Sequence, residues 1–340
     1  MRKYTLPTGY LFSDTYSKGD LETLSIGDYG KDLNVKADFL GLSRPIDGVP
    51  NGTPCRPLQE KWVVTLSTQY GCQMKCTFCD VPNVPWRGNV TYADLWSQLG
   101  SALDCFPDVG YTERLNIHFA RMGEPIFNEA VFVFAEALYR SKSSLPVRVE
   151  CLHPVLTTSM PKSLGVVEVE NRLQRWVEIK NNLYNGQAGL QVSINSTDDA
   201  QRNAMFGGSS LSLEIIARIL DRLPLPVGRK YCLNFAYASG YIVNALQLRR
   251  LFDPRRFMVK ITPIHNNNAC RANGIEAVGG YASYQPYSPI EAALSSVGFD
   301  VLVFVPSIDE EDGLVTCGNA VLGGGKLRDD LAQMNIKGQP

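Results

Sequence analysis

The spacing of apolar positions changes at residue 62. Before it, Gly9, Gly19, Gly27, Gly30, Pro45, Gly48, Pro50, Gly52, Pro54 and Pro57 break every long apolar run. The pattern therefore predicts only short strands there, one of them within 34–42, and a loop over 43–59. Residues 1–60 are too interrupted for a core of their own and read as an irregular N-terminal extension packed on the domain that begins near residue 61. From Trp62 onward, β-rich apolar runs near 62–67, 115–119, 147–157, 188–194, 229–235, 257–262 and 300–305 alternate with amphipathic stretches near 91–104, 128–141, 166–183, 211–222, 242–251 and 289–296. That alternation predicts parallel strands joined by crossover helices. Thr91, with Asp94 three residues on, predicts an N-cap with a capping-box acid for the first helix.

Six or seven such βα units form a partial or full barrel, whose chemistry gathers on loops at the C-terminal ends of the strands. The unusual residues fall at those ends. Strand 62–67 runs into three cysteines, the second strand into Gly123-Glu124-Pro125, the third into Thr157-Thr158-Ser159, the fourth into Ser193-Ile194-Asn195, and the sixth into Pro263-Ile264-His265-Asn266. The core is assigned to residues 61–325, and 326–340 to a C-terminal tail.

Cys72, Cys76 and Cys79 stand in C-x3-C-x2-C spacing inside a polar run. Structural zinc commonly takes four ligands in paired spacings, and the chain offers no second C-x2-C pair. Three thiolates suit a [4Fe–4S] cluster with one iron left for a ligand that is not protein. Glu124, held between a glycine and a proline, presents a carboxylate beside that loop, and an exposed acid in an ordinary turn is the alternative. Ser159 and Ser193 suit hydrogen bonds to a ribose or carboxylate, or simple helix caps. Phe78 suits stacking on an adenine, or packing beneath the loop. His118 reads as a packed strand residue, whereas His265 ends a strand and is placed to reach a ligand.

Composition narrows the setting. With 340 residues, 44% hydrophobic and 20% charged, the chain can bury a large core. Its nine cysteines form no regular disulfide framework, the N-terminus has no apolar signal region, and no run spans a membrane, so a cytoplasmic address is expected. A net charge of −1 excludes only a generally basic nucleic-acid binder.

The cysteine loop resembles that of radical S-adenosylmethionine (SAM) enzymes, which implies a partial (β/α)6-type radical SAM barrel. It also implies an open iron that chelates SAM and an electron that splits it to a 5′-deoxyadenosyl radical. More narrowly, the chain is similar to the RlmN/Cfr-type RNA adenine methyltransferases. The similarity rests on Ser67-Thr68-Gln69-Tyr70-Gly71-Cys72, on Met122 through Asn128, on Ser193 through Arg202, and on Thr316-Cys317-Gly318-Asn319-Ala320, in the family's order across residues 62–320. The resemblance implies that Gly123, Glu124, Ser159, Ser193 and Asn195 line the cofactor site, with His265 or Asn266 near the adenosine. It makes Cys317 the methyl-carrying cysteine of a mechanism that uses two SAM molecules, and implies an RNA substrate and an electron donor such as flavodoxin.

Three features depart from the family. Thr65 stands where a resolving cysteine is expected, which leaves Cys55, Cys151 or Cys270 as substitutes for a thiol that threonine cannot replace. Asn195 replaces a histidine, and the first 60 residues hold no recognisable RNA-binding domain. Arg249, Arg250, Arg255, Arg256, Lys260 and Arg271 form a basic concentration or a solvated face, and Tyr281, Tyr284 and Tyr287 form a base-stacking loop or a lid. Two rivals remain: a radical SAM enzyme acting on a peptide or small metabolite, and a non-catalytic iron–sulfur or zinc protein that binds RNA.

Overall fold

The structure, a computed structural model, describes residues 1–6, 9–27, 35–36, 58–278, 284–306, 308–316, 318–327 and 334–335. Its strands are β1 (Arg2–Leu6), β2 (Gly9–Tyr16), β3 (Gly19–Ile26), β4 (Val35–Lys36), β5 (Trp62–Leu66), β6 (Gln69–Tyr70), β7 (Gly88–Asn89), β8 (Tyr111–Phe119), β9 (Arg148–Thr158), β10 (Gly189–Ser193), β11 (Tyr231–Tyr237), β12 (Phe257–Pro263), β13 (Asp300–Val305) and β14 (Met334–Asn335). The helices are α1 (Tyr92–Asp104), α2 (Glu129–Arg140), α3 (Val166–Glu178), α4 (Asp199–Met205), α5 (Leu213–Arg222), α6 (Ala245–Leu251), α7 (Asn268–Ala272), α8 (Ser288–Ser296) and α9 (Ile308–Asp312).

β5, β8, β9, β10, β11, β12 and β13 pair in sequence order, each parallel to the next. Each crossover carries at least one helix. This mixed α/β sheet, mostly parallel at its centre, is the scaffold that the alternating pattern predicts. Side chains on the helix-facing side are buried, including Trp62, Ile117, Leu190, Leu233, Ile261 and Val303. The opposite face carries rows of register partners. One row is Thr65, His118 and Val155, and another is Ser193, Asn234, Lys260 and Leu302. Burial and the neighbouring Lys260, Lys61, Arg229 and Arg114 charges push the His118 imidazole down to about 3, so it is neutral. Thr65 Oγ1 and Asn234 Oδ1 are buried on this face and find no hydrogen-bond partner among the described residues.

The capping box forms as predicted: Asp94 N donates to Thr91 Oγ1 at 3.1 Å, and Thr91 N to Asp94 Oδ2 at 2.9 Å. The N-terminal region corrects the sequence reading. Instead of short irregular strands, β1, β2 and β3 form an antiparallel meander of 5, 8 and 8 residues, and β3 pairs antiparallel with β5. Gly9 and Gly19, read as breakers, begin strands. In the interval 34–42 only the two residues of β4 are described as strand, paired with β13. The short helices α4, α7 and α9 were also missed, because 5–7 residues hold too few apolar repeats to register. The predicted helix over 166–183 is α3 continued by a π-helical turn over Ile179–Leu183.

No described helix is long and apolar enough to cross a membrane.

Candidate functional site

The cysteine loop leaves the sheet through β6 and returns through β7, which pair antiparallel, Gln69 with Asn89 and Tyr70 with Gly88. The ribbon closes the base of the loop. Its far side is fastened to the end of α4: Thr77 N and Oγ1 both donate to Met205 O, at 2.9 and 3.1 Å. Phe78 lies edge-on to Phe206 with ring centroids 5.6 Å apart. Its ring is therefore partly spent on packing. Cys72 and Cys76 border a small apolar cluster around Met74, Met205 and Phe206, and Cys72 and Cys79 border another around Val81, Met122 and Ala320. Met74 N donates to Cys72 Sγ at 3.4 Å.

Half-buried thiols with an apolar wall and a backbone N–H aimed at sulfur suit a thiolate-bound cluster. Among the described residues no three His, Cys, Asp or Glu side chains converge on a single metal ion. A cluster asks for something different, one thiolate on each of three irons.

Glu124 sits at the end of β8 beyond Gly123, whose φ is +93° and whose added Cβ would lie 2.5 Å from Gln69 Cβ. Only glycine fits that approach. Gln69 joins the two motifs, since its Oε1 accepts from Glu124 N at 3.1 Å and from Gln73 N at 3.4 Å. The Glu124 carboxylate is 4% exposed and accepts from Ser159 N at 2.8 Å and Ile126 N at 3.4 Å. Burial outweighs these bonds and pushes its pKa up to about 7.

The next two strand ends meet on Arg202, a residue of the Ser193–Arg202 motif to which sequence reading gave no role. Its Nη2 reaches Ser193 O at 3.0 Å and Ser159 O at 3.5 Å, while Nη1 donates to Ser210 Oγ at 2.7 Å and Leu211 O at 2.8 Å. Burial lowers its pKa to about 10, which leaves it charged at neutral pH. Its guanidinium also lies 4.6 Å from the Phe206 ring centroid, so it ties two strand ends to the support of the cysteine loop. The signal was there in sequence: Asp198 caps α4 by accepting from Gln201 N at 2.7 Å, and that cap sets the helix on which Arg202 rides. Asn195 is buried with φ +62°, and its Oδ1 accepts from Ala236 N at 2.9 Å. That oxygen braces β11.

At the end of β12, His265 Nδ1 contacts Glu311 Oε2, and the exposed Asn266 donates its N–H to Glu311 Oε1 at 2.6 Å. Asn267 Nδ2 donates to both Phe78 O, at 3.0 Å, and Gly318 O, at 3.2 Å. Asp80 N, directly after Cys79, donates to the same Gly318 oxygen at 2.8 Å. Cys317 itself lies outside the described residues, but its neighbour Gly318 is hydrogen-bonded to the cysteine loop.

No protein-family model matches the chain. Over 221 residues it is 27% identical to the dual-specificity RNA methyltransferase RlmN of Anaeromyxobacter dehalogenans, covering 62% of this chain and 55% of that one. It is 24% identical over 249 residues to the RlmN of Geobacter sulfurreducens, with coverages of 72% and 63%. It is 35% identical over 193 residues to the probable RlmN of Chlorobium chlorochromatii, with coverages of 56% and 46%. The chain thus spans about half to three-fifths of the length of these curated relatives. A crystal structure of a radical SAM methyltransferase from Sphaerobacter thermophilus matches its fold with a TM-score of 0.57 at 19% identity, covering 87% of this chain and 73% of that one. These matches support a radical SAM, RlmN/Cfr-like family.

Several sequence expectations are corrected by the geometry. Tyr287 is buried with its hydroxyl on Val278 O at 2.9 Å, so it is core and not a stacking platform; Tyr284 is half-buried, and Tyr281 lies outside the described residues. The basic concentration is dispersed by the fold. Arg256 is buried on the carbonyls that end α5, Arg255 forks onto Asp253, Lys260 lies in a strand row, and Arg249 and Arg250 are exposed on α6. Arg271 turns back onto Asn266 and Asn268. Of the substitute thiols, Cys55 lies outside the described residues, Cys151 is exposed in the N-terminal half of β9, and Cys270 is buried with Sγ 3.6 Å from Phe78 O.

Proposed function

We propose that this protein is a radical SAM enzyme that methylates an adenine base in RNA, with Cys317 as the methyl carrier. The observation that carries this reading is the pair of hydrogen bonds from Asp80 N and Asn267 Nδ2 to Gly318 O, which brings the residue after Cys317 against the loop of Cys72, Cys76 and Cys79. The names of the RlmN relatives supply the substrate class.

In this reading Cys72, Cys76 and Cys79 hold the [4Fe–4S] cluster, and when bound the cluster supplies the electron that cleaves SAM reductively. Glu124 takes the amino group of SAM, since its buried carboxylate accepts the backbone N–H bonds of Ser159 and Ile126 and gains from a cation. Ser159, Ser193 and Asn195 frame the same strand-end rim, with Arg202 fixing its backbone. Cys317 would lose its thiol proton to solvent, and its thiolate sulfur would bond to the methyl carbon of SAM as the methyl–sulfonium bond breaks and S-adenosylhomocysteine leaves, a displacement that the sulfonium cation favours by stabilising the thiolate.

The test is anaerobic reconstitution followed by incubation with reductant, SAM and RNA, and analysis of the digested nucleosides. A methylated adenine is expected from the wild type and none from Cys317→Ala, with the cluster intact in both. Full activity of the Ala variant would remove the methyl-carrier mechanism.

A second reading, a radical SAM enzyme acting on a peptide or small metabolite, is favoured by one observation. Thr65 stands on the inward row beside His118 where the family resemblance implies a resolving thiol. Turnover on peptide or metabolite pools with no methyladenine would select it.

A further inference from the structure

Glu22 and Arg121 form an ion pair with both side chains 1% exposed. Glu22 belongs to β3, in the N-terminal extension, and Arg121 lies between β8 and the Gly123-Glu124 turn. Arg121 Nε and Nη2 both donate to Glu22 Oε2, at 2.9 and 2.5 Å. Each partner then spends its remaining capacity on one segment. Arg121 Nη1 donates to Leu314 O at 2.7 Å, and Glu22 Oε1 accepts from Leu322 N at 2.6 Å. The two anchored backbone atoms flank the stretch that contains Cys317.

A second set of contacts ties the same stretch to the cysteine loop. Besides the bonds to Gly318, Asn83 Nδ2 donates to Gly323 O at 3.2 Å. Gly323 is pressed so closely on Asp80 that an added Cβ would lie 2.3 Å from its carbonyl oxygen.

We infer that the Glu22–Arg121 pair is a positioning device that fixes Leu314 and Leu322, on either side of Cys317, beside the cysteine loop, and that the N-terminal meander thereby takes part in catalysis. This rests on the methyl-carrier reading above. A buried ion pair is weak evidence for stability by itself, because an apolar pair of similar volume often serves as well. Here the pair gains a purpose from its two outward bonds, one to each end of the segment, which no apolar pair can make.

The experiment uses the full chain, reconstituted anaerobically, as wild type, Arg121→Lys, and the double variant Glu22→Leu/Arg121→Met. The double variant keeps the site filled without leaving a lone buried charge. Three quantities are read on each: the cluster spectrum, the fraction of Cys317 carrying a methyl group by peptide mass, and hydrogen exchange over 314–322. The inference expects both variants to keep the cluster and reductant-dependent SAM cleavage. Cys317 methylation should fall by roughly a hundredfold in the double variant and less in Arg121→Lys, as for a reacting group displaced by about an ångström. Exchange over 314–322 should rise in the same order. Wild-type methylation retained in the double variant, with exchange unchanged, would overturn the inference. If wild-type Cys317 carries no methyl group, the carrier reading fails instead, and the exchange comparison alone still decides whether the pair holds the segment.

Discussion

Two regions near the strand-end rim of the sheet each bury a glutamate, and they treat it in opposite ways. At the junction of the N-terminal meander with the parallel sheet, Glu22 meets Arg121, and the pair is completed by the two ends of one segment. At the strand-end rim, Glu124 receives backbone N–H groups from Ser159 and Ile126, and its pKa rises to about 7. Where the chain supplies the cation, the carboxylate is structural. Where burial leaves its charge under-compensated, the role we propose for the carboxylate is to meet a ligand that brings one. The difference separates a clamp from a binding group, although both are glutamates buried to a similar degree.

The largest expected effect lies outside both carboxylates and sets the frame for them. Replacing Cys72, Cys76 or Cys79 with Ala should abolish iron binding and SAM cleavage, measured by iron analysis and deoxyadenosine formation, since in the proposed cluster each thiolate would hold one iron. Removing one charge from the clamp comes next. Arg121→Met alone leaves Glu22 buried without its cation and should cost about 3–5 kcal/mol of stability in denaturant unfolding. Glu124→Gln should leave stability intact or raise it, because its penalty comes from burying the charged form. Similar destabilisation by the two substitutions would break the comparison.

A pH titration sharpens it. Because folding raises the Glu124 pKa from 4.5 to about 7, the native state holds a proton that the unfolded chain has released. Its contribution is therefore full below pH 4.5 and is lost as pH rises to about 7, a change of about 3 kcal/mol in the cofactor-free protein. The Glu124→Gln protein should lack that slope. The smallest effect is expected at Thr65, whose Oγ1 has no hydrogen-bond partner among the described residues. Thr65→Cys should leave turnover unchanged or raise it, and a large fall with the cluster intact would give the threonine a role of its own.

Much of this was legible in sequence where the signal is local. The βα alternation marks all seven parallel strands, and the thiol spacing and Gly123-Glu124 turn land on one rim because strand ends gather there. The N-terminal meander was misread because Gly9 and Gly19 look like breakers when they begin strands. The Glu22–Arg121 pair joins residues 99 positions apart, and the Glu22–Leu322 bond joins residues 300 apart, so no local pattern could reveal either. The basic residues near 249–271 looked like one patch because sequence proximity hides that Arg256 turns inward onto helix carbonyls while Arg249 and Arg250 face out.

The most direct test of Glu124 as a group kept for the cofactor is calorimetric titration of SAM into the anaerobically reconstituted protein, without reductant, between pH 5.5 and 8.5. Affinity is predicted to rise with pH up to about 7 and then level, as the carboxylate ionises to meet the amino group. Glu124→Gln should weaken binding by about 1.5–3 kcal/mol at pH 8 and flatten the pH dependence. Equal affinities for the two proteins across that range would contradict the assignment.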